Sequence, residues 1–341
     1  MTSQELSLHS EGQFLIDFGK KEIAIPKIRT YLEDGRLPIE DIYGSFANLA
    51  LNGWEVDLVD NHKHHDNIGG VDIEFPVICL RTPKKGNALW FIAGIHGEEP
   101  AGPIALARSI SKLEELRELG FSVVVYPLAN PIGYSTDSRF LRKYRGTDNP
   151  FIHPSIETDL SVGDTSHLLP GSEDPSRPRY SFPSSKEAAA FTHSVLQNCQ
   201  SYPPFLVIDL HEDNDPITCF GSYVYREGRF SHKAADCVLQ ILSSHQEIIL
   251  KGRTRFEDTR ETISNGVVQQ QCLDYSIDNL LAARKIFNEF GEEVEGPRAP
   301  AVIVVETSVL GKSLKTRVQA HVDIINNADK IIRLVARELV F

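Results

Sequence analysis

The chain has 341 residues, 41% of them hydrophobic and 24% charged, with a formal net charge of −12 and a pI near 5.5. These proportions suit a globular protein with room for one large α/β domain or two modest ones. The acidic balance argues against a nucleic-acid partner, since neutralising phosphates needs clustered Lys and Arg. A membrane span is not expected either, because no run of about 18 apolar residues occurs.

The first ten residues have neither a basic n-region nor an apolar stretch, so no secretory signal is expected. Five scattered cysteines (Cys79, Cys199, Cys219, Cys237, Cys272) form no CxxC pair. Such usage points to a reducing cytoplasm with free thiols. Residues 13–52 read as N-terminal helical or mixed structure, punctuated by Pro26 and Pro38. Residues 54–59 alternate as a half-buried strand does, and residues 71–80 make a second strand. Residues 88–95 (Ala-Leu-Trp-Phe-Ile-Ala-Gly-Ile) are almost continuously apolar, as in a strand covered on both faces. Residues 104–116 have helical spacing, Gly120 closes that helix, and residues 121–126 form another buried strand. This strand–helix–strand order implies a parallel sheet core.

Residues 127–183 are rich in Pro, Gly, Ser and Asp, and a connection of that length is usually functional or disordered. Residues 187–196 read as a helix, residues 205–210 and 301–305 as short apolar strands, and residues 320–338 as a helix that closes the domain.

Chemistry gathers where the strands stop. His96 and Glu99 are three apart just after an apolar run, flanked by Gly94 and Gly97, whose lack of a side chain permits a tight turn. On one helical turn, positions i and i+3 share a face. An imidazole and a carboxylate could then reach one ion. His211 ends a second apolar run, two residues after Asp209, a carboxylate on the same strand face that could orient the ring. Glu212 and Asp213 are rival ligands. Glu306 ends the very apolar run 302–305, where a carboxylate is expensive unless paired or facing a cavity. There it could act as a general base. Arg139, Arg142 and Arg145 repeat every three residues, so a turn or short helix would make them one cationic face able to hold an oxyanion or a substrate carboxylate. His62, His64 and His65 form a patch before Asn67-Ile68-Gly69-Gly70, which reads as a flexible loop with adventitious metal binding.

Taken together, these segments resemble the zinc carboxypeptidase family of metallopeptidases. His96-Gly97-Glu98-Glu99 resembles the family's metal-binding HxxE. Asn130-Pro131-Ile132-Gly133, then Arg139-Phe140-Leu141-Arg142-Lys143, resembles its Asn-Pro-Asp-Gly segment and Arg-x-x-Arg-Lys run. The resemblance implies a mixed, mainly parallel eight-stranded sheet between helices. It implies one zinc ion on His96, Glu99 and His211, with Glu306 as general base. Arg142 falls on the oxyanion-stabilising position and Arg139 on a substrate-binding one. Residues 54–341 would then be the catalytic domain, and residues 1–53 an N-terminal extension or small helical segment.

Two departures bear on substrate. The family's Asp-Leu-Asn-Arg segment, which holds a terminal carboxylate, has only Asp159-Leu160-Ser161-Val162 as its nearest match, which leaves Arg145, Arg177 or Arg179 to replace it. The family's substrate-covering tyrosine has only Tyr275 as a candidate, by order alone. A more distant resemblance is to the succinylglutamate desuccinylase/aspartoacylase family, which shares the HGxE motif and an Asp-x-His segment and cleaves N-acyl amino acids. The expected activity is therefore zinc-dependent hydrolysis of an amide or peptide bond in a peptide or a small N-acyl amino acid. A carboxypeptidase-like module that binds without catalysis is the third alternative.

Overall fold

The computed structural model describes residues 10–28, 31, 33–65, 72–145, 157–163, 165, 185–214, 220–253, 261–269, 276–288 and 292–340. In chain order its elements begin with β1 (Ser10–Asp17), β2 (Glu22–Ile28), α1 (Ile39–Leu51), β3 (Glu55–His65), β4 (Asp72–Arg81) and β5 (Ala88–Ala93). Next come α2 (Ala101–Arg108), α3 (Ile110–Glu118), β6 (Ser122–Tyr126), α4 (Pro131–Thr136), β7 (Arg142–Arg145), β8 (Glu157–Leu160) and α5 (Lys186–Ser201). They continue with β9 (Pro204–Asp213), β10 (Tyr223–Glu227), α6 (His232–Leu242), β11 (Lys251–Arg253), β12 (Thr262–Ser264) and β13 (Val267–Gln269). The last are α7 (Ile277–Ala282), β14 (Lys285–Phe287), β15 (Glu293–Glu295), β16 (Ala301–Ser308), α8 (Leu314–Asn326) and α9 (Ala328–Val340).

Ten of these strands form one mixed sheet in the order β11-β12-β13-β10-β16-β9-β5-β6-β4-β3. Its four central strands, β16, β9, β5 and β6, run parallel. Their sequences explain this: every residue of β5 and β6 is buried, as a strand sandwiched between helix layers requires. Alternate residues of β5 feed two separate cores. Leu89, Phe91 and Ala93 face the core shared with α1, α2, α3, α6, α8 and α9, whereas Ala88, Trp90 and Ile92 face the one shared with α5 and α7.

The α/β architecture with a mixed sheet between helices is the one expected. The sheet has ten strands rather than eight, and three of them, β11, β12 and β13, are three-residue strands at one edge. Parallel pairing is confined to the centre and the single β10–β13 contact; the other pairs are antiparallel. The helix expected over 104–116 is two helices, α2 and α3, that meet at Ser109. Likewise 320–338 falls on α8 and α9. Asn327 separates them and turns its side-chain amide onto the Asp323 carbonyl, a local bond that competes with helix continuation. The histidine patch is no flexible loop: His62, His64 and His65 lie on β3, paired with Phe75, Ile73 and Asp72 of β4, and His62 is buried. Asn67–Gly70 lie outside the described residues. No helix among the described residues is long and apolar enough to cross a membrane.

The N-terminal part is mixed structure, a β1–β2 hairpin followed by α1. It shares the main core: Ile25, Ile39, Ile42 and Phe46 pack in the same cluster as Leu89, Phe91 and Leu113. Phe46→Ala should therefore cost the whole domain about 3–5 kcal/mol, the usual price of removing a fully buried aromatic ring. Denaturant unfolding of the variant should show one shifted transition; a separate early transition with the main one unmoved would contradict this.

Candidate metal centre

The site forms where three neighbouring parallel strands end. β5 stops at Ala93, and Gly94 turns the chain with a φ of 67°, in the left-handed region that favours glycine. The turn brings His96 and Glu99 over the end of β9, whose Asp209, His211 and Asp213 alternate onto one face. In β16, Glu306 stands in register opposite His211, and on its other side Tyr223 of β10 stands opposite Glu306. Three side chains from adjacent strands thus form a row, Tyr223, Glu306 and His211, across the sheet.

The loop can come this close because of Gly97. A Cβ there would lie 1.9 Å from the Gly133 carbonyl carbon, so the two backbones touch. The Asn130-Pro131 pair prepares that contact. Asn130 caps α4, accepting from the Gly133 amide at 2.9 Å, and Pro131 occupies the first turn, where no amide hydrogen is needed. The segment that carries part of the family resemblance is here a packing device for the loop.

Glu99 is the hub. Its Oε1 accepts from Arg139 Nη1 at 2.8 Å and lies 2.9 Å from His96 Nδ1. Its Oε2 lies 2.9 Å from His211 Nδ1 and accepts from the Glu212 amide at 3.2 Å. The ligand atoms of His96, Glu99 and His211 all fall within 4.8 Å of one another. Asp209 Oδ1 sits 3.2 Å from the other nitrogen of His211, Nε2, which leaves Nδ1 as the ring atom facing the cluster. Two imidazole nitrogens and a carboxylate at such separations are the donor set of a catalytic zinc site, and the residues fit such an ion.

The electrostatics agree with a site arranged for positive charge. Burial pushes Glu99 up, yet His96 and His211 outweigh it and hold its carboxyl well below the usual range. His211 is pushed down by burial but raised further by the Asp209 and Glu99 carboxylates, and ends well above the ordinary imidazole value. Burial lowers His96 to about 4, which favours its neutral ring. For Glu306 burial dominates and raises its carboxyl well above the usual range; the opposing pull of His211 is smaller.

His96, Glu99, His211, Arg139 and Glu306 therefore converge. Arg139 Nη1 also meets Glu98 Oε1 at 3.2 Å, and its Nε is buried without a hydrogen-bond partner among the described residues. Glu212 and Asp213 do not join the cluster. Glu212 accepts from the Ala101 amide at 2.7 Å and lies 2.7 Å from Arg317 Nε, while Asp213 accepts from the Tyr223 hydroxyl at 2.9 Å. The expected turn or short helix through Arg142 and Arg145 is instead strand β7, paired with β8. The side chains of Arg142 and Arg145 lie outside the described residues, as do Arg177, Arg179 and Tyr275. At the position of the missing carboxylate clamp, Val162 is buried in the apolar cluster that includes Ile95.

Sequence reasoning did not find the layer behind the site. Arg317 and His321 come from α8, a helix with no motif. His321 Nε2 lies 3.1 Å from Thr307 Oγ1, and its ring is wholly buried.

Residues 85–246 match the family profile of the succinylglutamate desuccinylase/aspartoacylase catalytic domain. That stretch is just under half of the chain; it contains His96, Glu99 and His211 and ends before Glu306. Comparison with curated protein sequences gives no match. Among solved structures, similarity extends to a candidate metallopeptidase from Shewanella amazonensis SB2B, 21% identical, over 84% of this chain and 91% of that one, with a TM-score of 0.56. Candidate metallopeptidases from Shewanella baltica OS155 and Shewanella denitrificans OS217 are each 17% identical, with TM-scores of 0.55 and 0.56. They are covered over 92% and 90% of their length, by 86% and 85% of this chain. At these identities the likeness is one of fold. The HGxE and Asp-x-His segments both lie within the stretch that matches this profile.

The buried histidine behind the site makes stability depend on pH. Burial, helped by the charges of His211 and Arg317, lowers His321 to about 3, against about 6.5 in an unfolded chain. Between those values the unfolded chain binds the extra proton. The stability it contributes is therefore complete above about pH 6.5 and is lost as pH falls. In His321→Gln the dependence of unfolding free energy on pH between 6 and 4 should flatten by about 1.4 kcal/mol per pH unit. An unchanged slope would show that His321 is not held neutral.

Proposed function

We propose that the protein is a zinc-dependent amide hydrolase that uses metal-activated water. One observation carries this reading: ligand atoms of His96, Glu99 and His211 converge within 4.8 Å where parallel strands end, with Glu306 in register beside them. In open α/β sheets, chemistry collects at such carboxyl ends. His96, Glu99 and His211 would hold the zinc, which when bound supplies a Lewis acid and lowers the pKa of a water toward 7.

The remaining work falls to the protein's own groups. The Glu306 carboxylate takes a proton from the attacking water and gives it to the leaving amine nitrogen. A carboxyl pushed up by burial is suited to holding that proton between the two transfers. Asp209 fixes the His211 ring through Nε2. Arg139 neutralises Glu99 with one nitrogen and keeps its buried Nε for a substrate oxygen. Arg142 is assigned to the oxyanion and Arg145 to substrate binding on the resemblance of the Arg-x-x-Arg-Lys run.

The profile match over 85–246 supports an N-acyl amino acid as substrate. A peptide is the second reading, favoured by the Asn-Pro-x-Gly and Arg-x-x-Arg-Lys segments. Free thiols at Cys79, Cys199 and Cys237 fit a cytoplasmic setting.

A panel of N-acyl amino acids and peptides identifies the substrate, and Glu306→Gln then tests the mechanism. Turnover should fall by at least about 100-fold with zinc content unchanged. Chelation should silence the wild type, and added zinc should restore it. Retained activity in the variant, or loss of its metal, would overturn the assignment.

A further inference from the structure

Arg36 lies far from every motif, in the N-terminal part of the chain, yet it reaches the metal loop. Its side chain is fully buried. Nη1 donates to the Gly97 carbonyl at 3.0 Å and to the Tyr134 carbonyl at 2.6 Å. Nε and Nη2 donate to Asp34, and Nη2 also to Asp137. All five N–H donors of a guanidinium are accounted for by these partners. The group also lies over the Tyr31 and Tyr134 rings, 4.9 and 5.1 Å from their centroids. A buried cation is costly unless paired and fully hydrogen-bonded, and here it is both.

The partners say what this cation is for. The segment around 95–100 is neither helix nor strand, so ladder bonds do not fix its backbone. Gly97 is pinned at both ends instead: its N–H donates to the Ser138 carbonyl at 3.1 Å, and its carbonyl accepts from Arg36. The same guanidinium grips Tyr134 in α4 and Asp137, the residue with a φ of 55° that closes it. Two residues on, Arg139 holds Glu99. The segment around Arg36 is itself laid on α4, with the Tyr31 amide on the Ser135 carbonyl at 2.9 Å and the Tyr134 hydroxyl on the Leu37 carbonyl at 2.8 Å.

We propose that Arg36 is a positioning residue that locks the backbone of the metal loop, so that His96 and Glu99 are set for the ion by the N-terminal segment. The proposal rests on the zinc reading of His96, Glu99 and His211. It makes Tyr31, Arg36 and Leu37 part of the site's construction.

The test is the zinc dissociation constant, measured by chelator competition on the full chain, for wild type, Arg36→Gln, Arg36→Lys and a control, Trp54→Phe. The control removes a partly buried hydrogen bond from Trp54 Nε1 to Glu114 of α3, neither of which contacts His96, Glu99 or His211 in any hydrogen bond or ion pair among the described residues. Unfolding of the metal-stripped proteins reports how much each change costs the fold. Arg36→Gln should bind zinc on the order of tenfold more weakly or worse, the scale seen when groups behind a metal site are removed. Arg36→Lys keeps the charge but not the planar fork, so it too should bind more weakly; it serves if the Gln variant does not fold. Trp54→Phe should bind zinc as the wild type does. Wild-type affinity in both Arg36 variants, or an equal loss in Trp54→Phe, would overturn the proposal and leave the zinc reading standing. A wild type that binds no zinc would overturn the zinc reading itself, and this proposal with it.

Discussion

The structure turns on one buried carboxylate. Glu99 lies between two imidazoles, a guanidinium and a backbone amide, and both its oxygens are used. A carboxylate so placed cannot be hydrated, so positive charge must be delivered to it. Every element near the site can be understood as delivering or holding that charge. β9 supplies His211 with Asp209 behind it, Arg139 follows α4, and the loop after β5 carries His96. A divalent cation among the same three donors satisfies the demand with a single group.

The fold supplies the rigidity. The parallel strands β5, β9 and β16 are in register, which sets Glu306 beside His211 without any help from loops. Behind them Glu212 ties the first amide of α2 to Arg317 of α8, and His321 of the same helix packs on Thr307. The irregular loop that carries His96 and Glu99 has no ladder to fix it, and there the contacts of Gly97 and Arg36 take over. A site with carboxylates at several positions and a preset geometry favours chemistry over simple adhesion, since orientation of reacting groups is where such frameworks lower barriers.

Much of this was legible in the residues. The apolar runs 88–95, 205–210 and 301–305 revealed central strands, because strands buried on both faces need near-continuous hydrophobicity. The chemistry at their ends then located His96, Glu99, His211 and Glu306. What was not legible has physical reasons. Short edge strands such as β11 to β13 carry too few residues to show a period. Ser109 and Asn327 interrupt helices whose hydrophobic stripe runs on past the break. His62 looked like loop chemistry because a cluster of histidines carries little strand signal, although β3 is held by its pairing to β4. Arg36, Arg317 and His321 act through tertiary contacts alone, so no local pattern could mark them.

The central claim is that His96, Glu99 and His211 hold one metal ion. The most direct measurement is the metal content of protein purified without added metal and without a histidine tag, for wild type and His211→Ala together. The account predicts about one zinc per wild-type chain and its loss in the variant. A wild type without stoichiometric metal, even after zinc is offered, would contradict it.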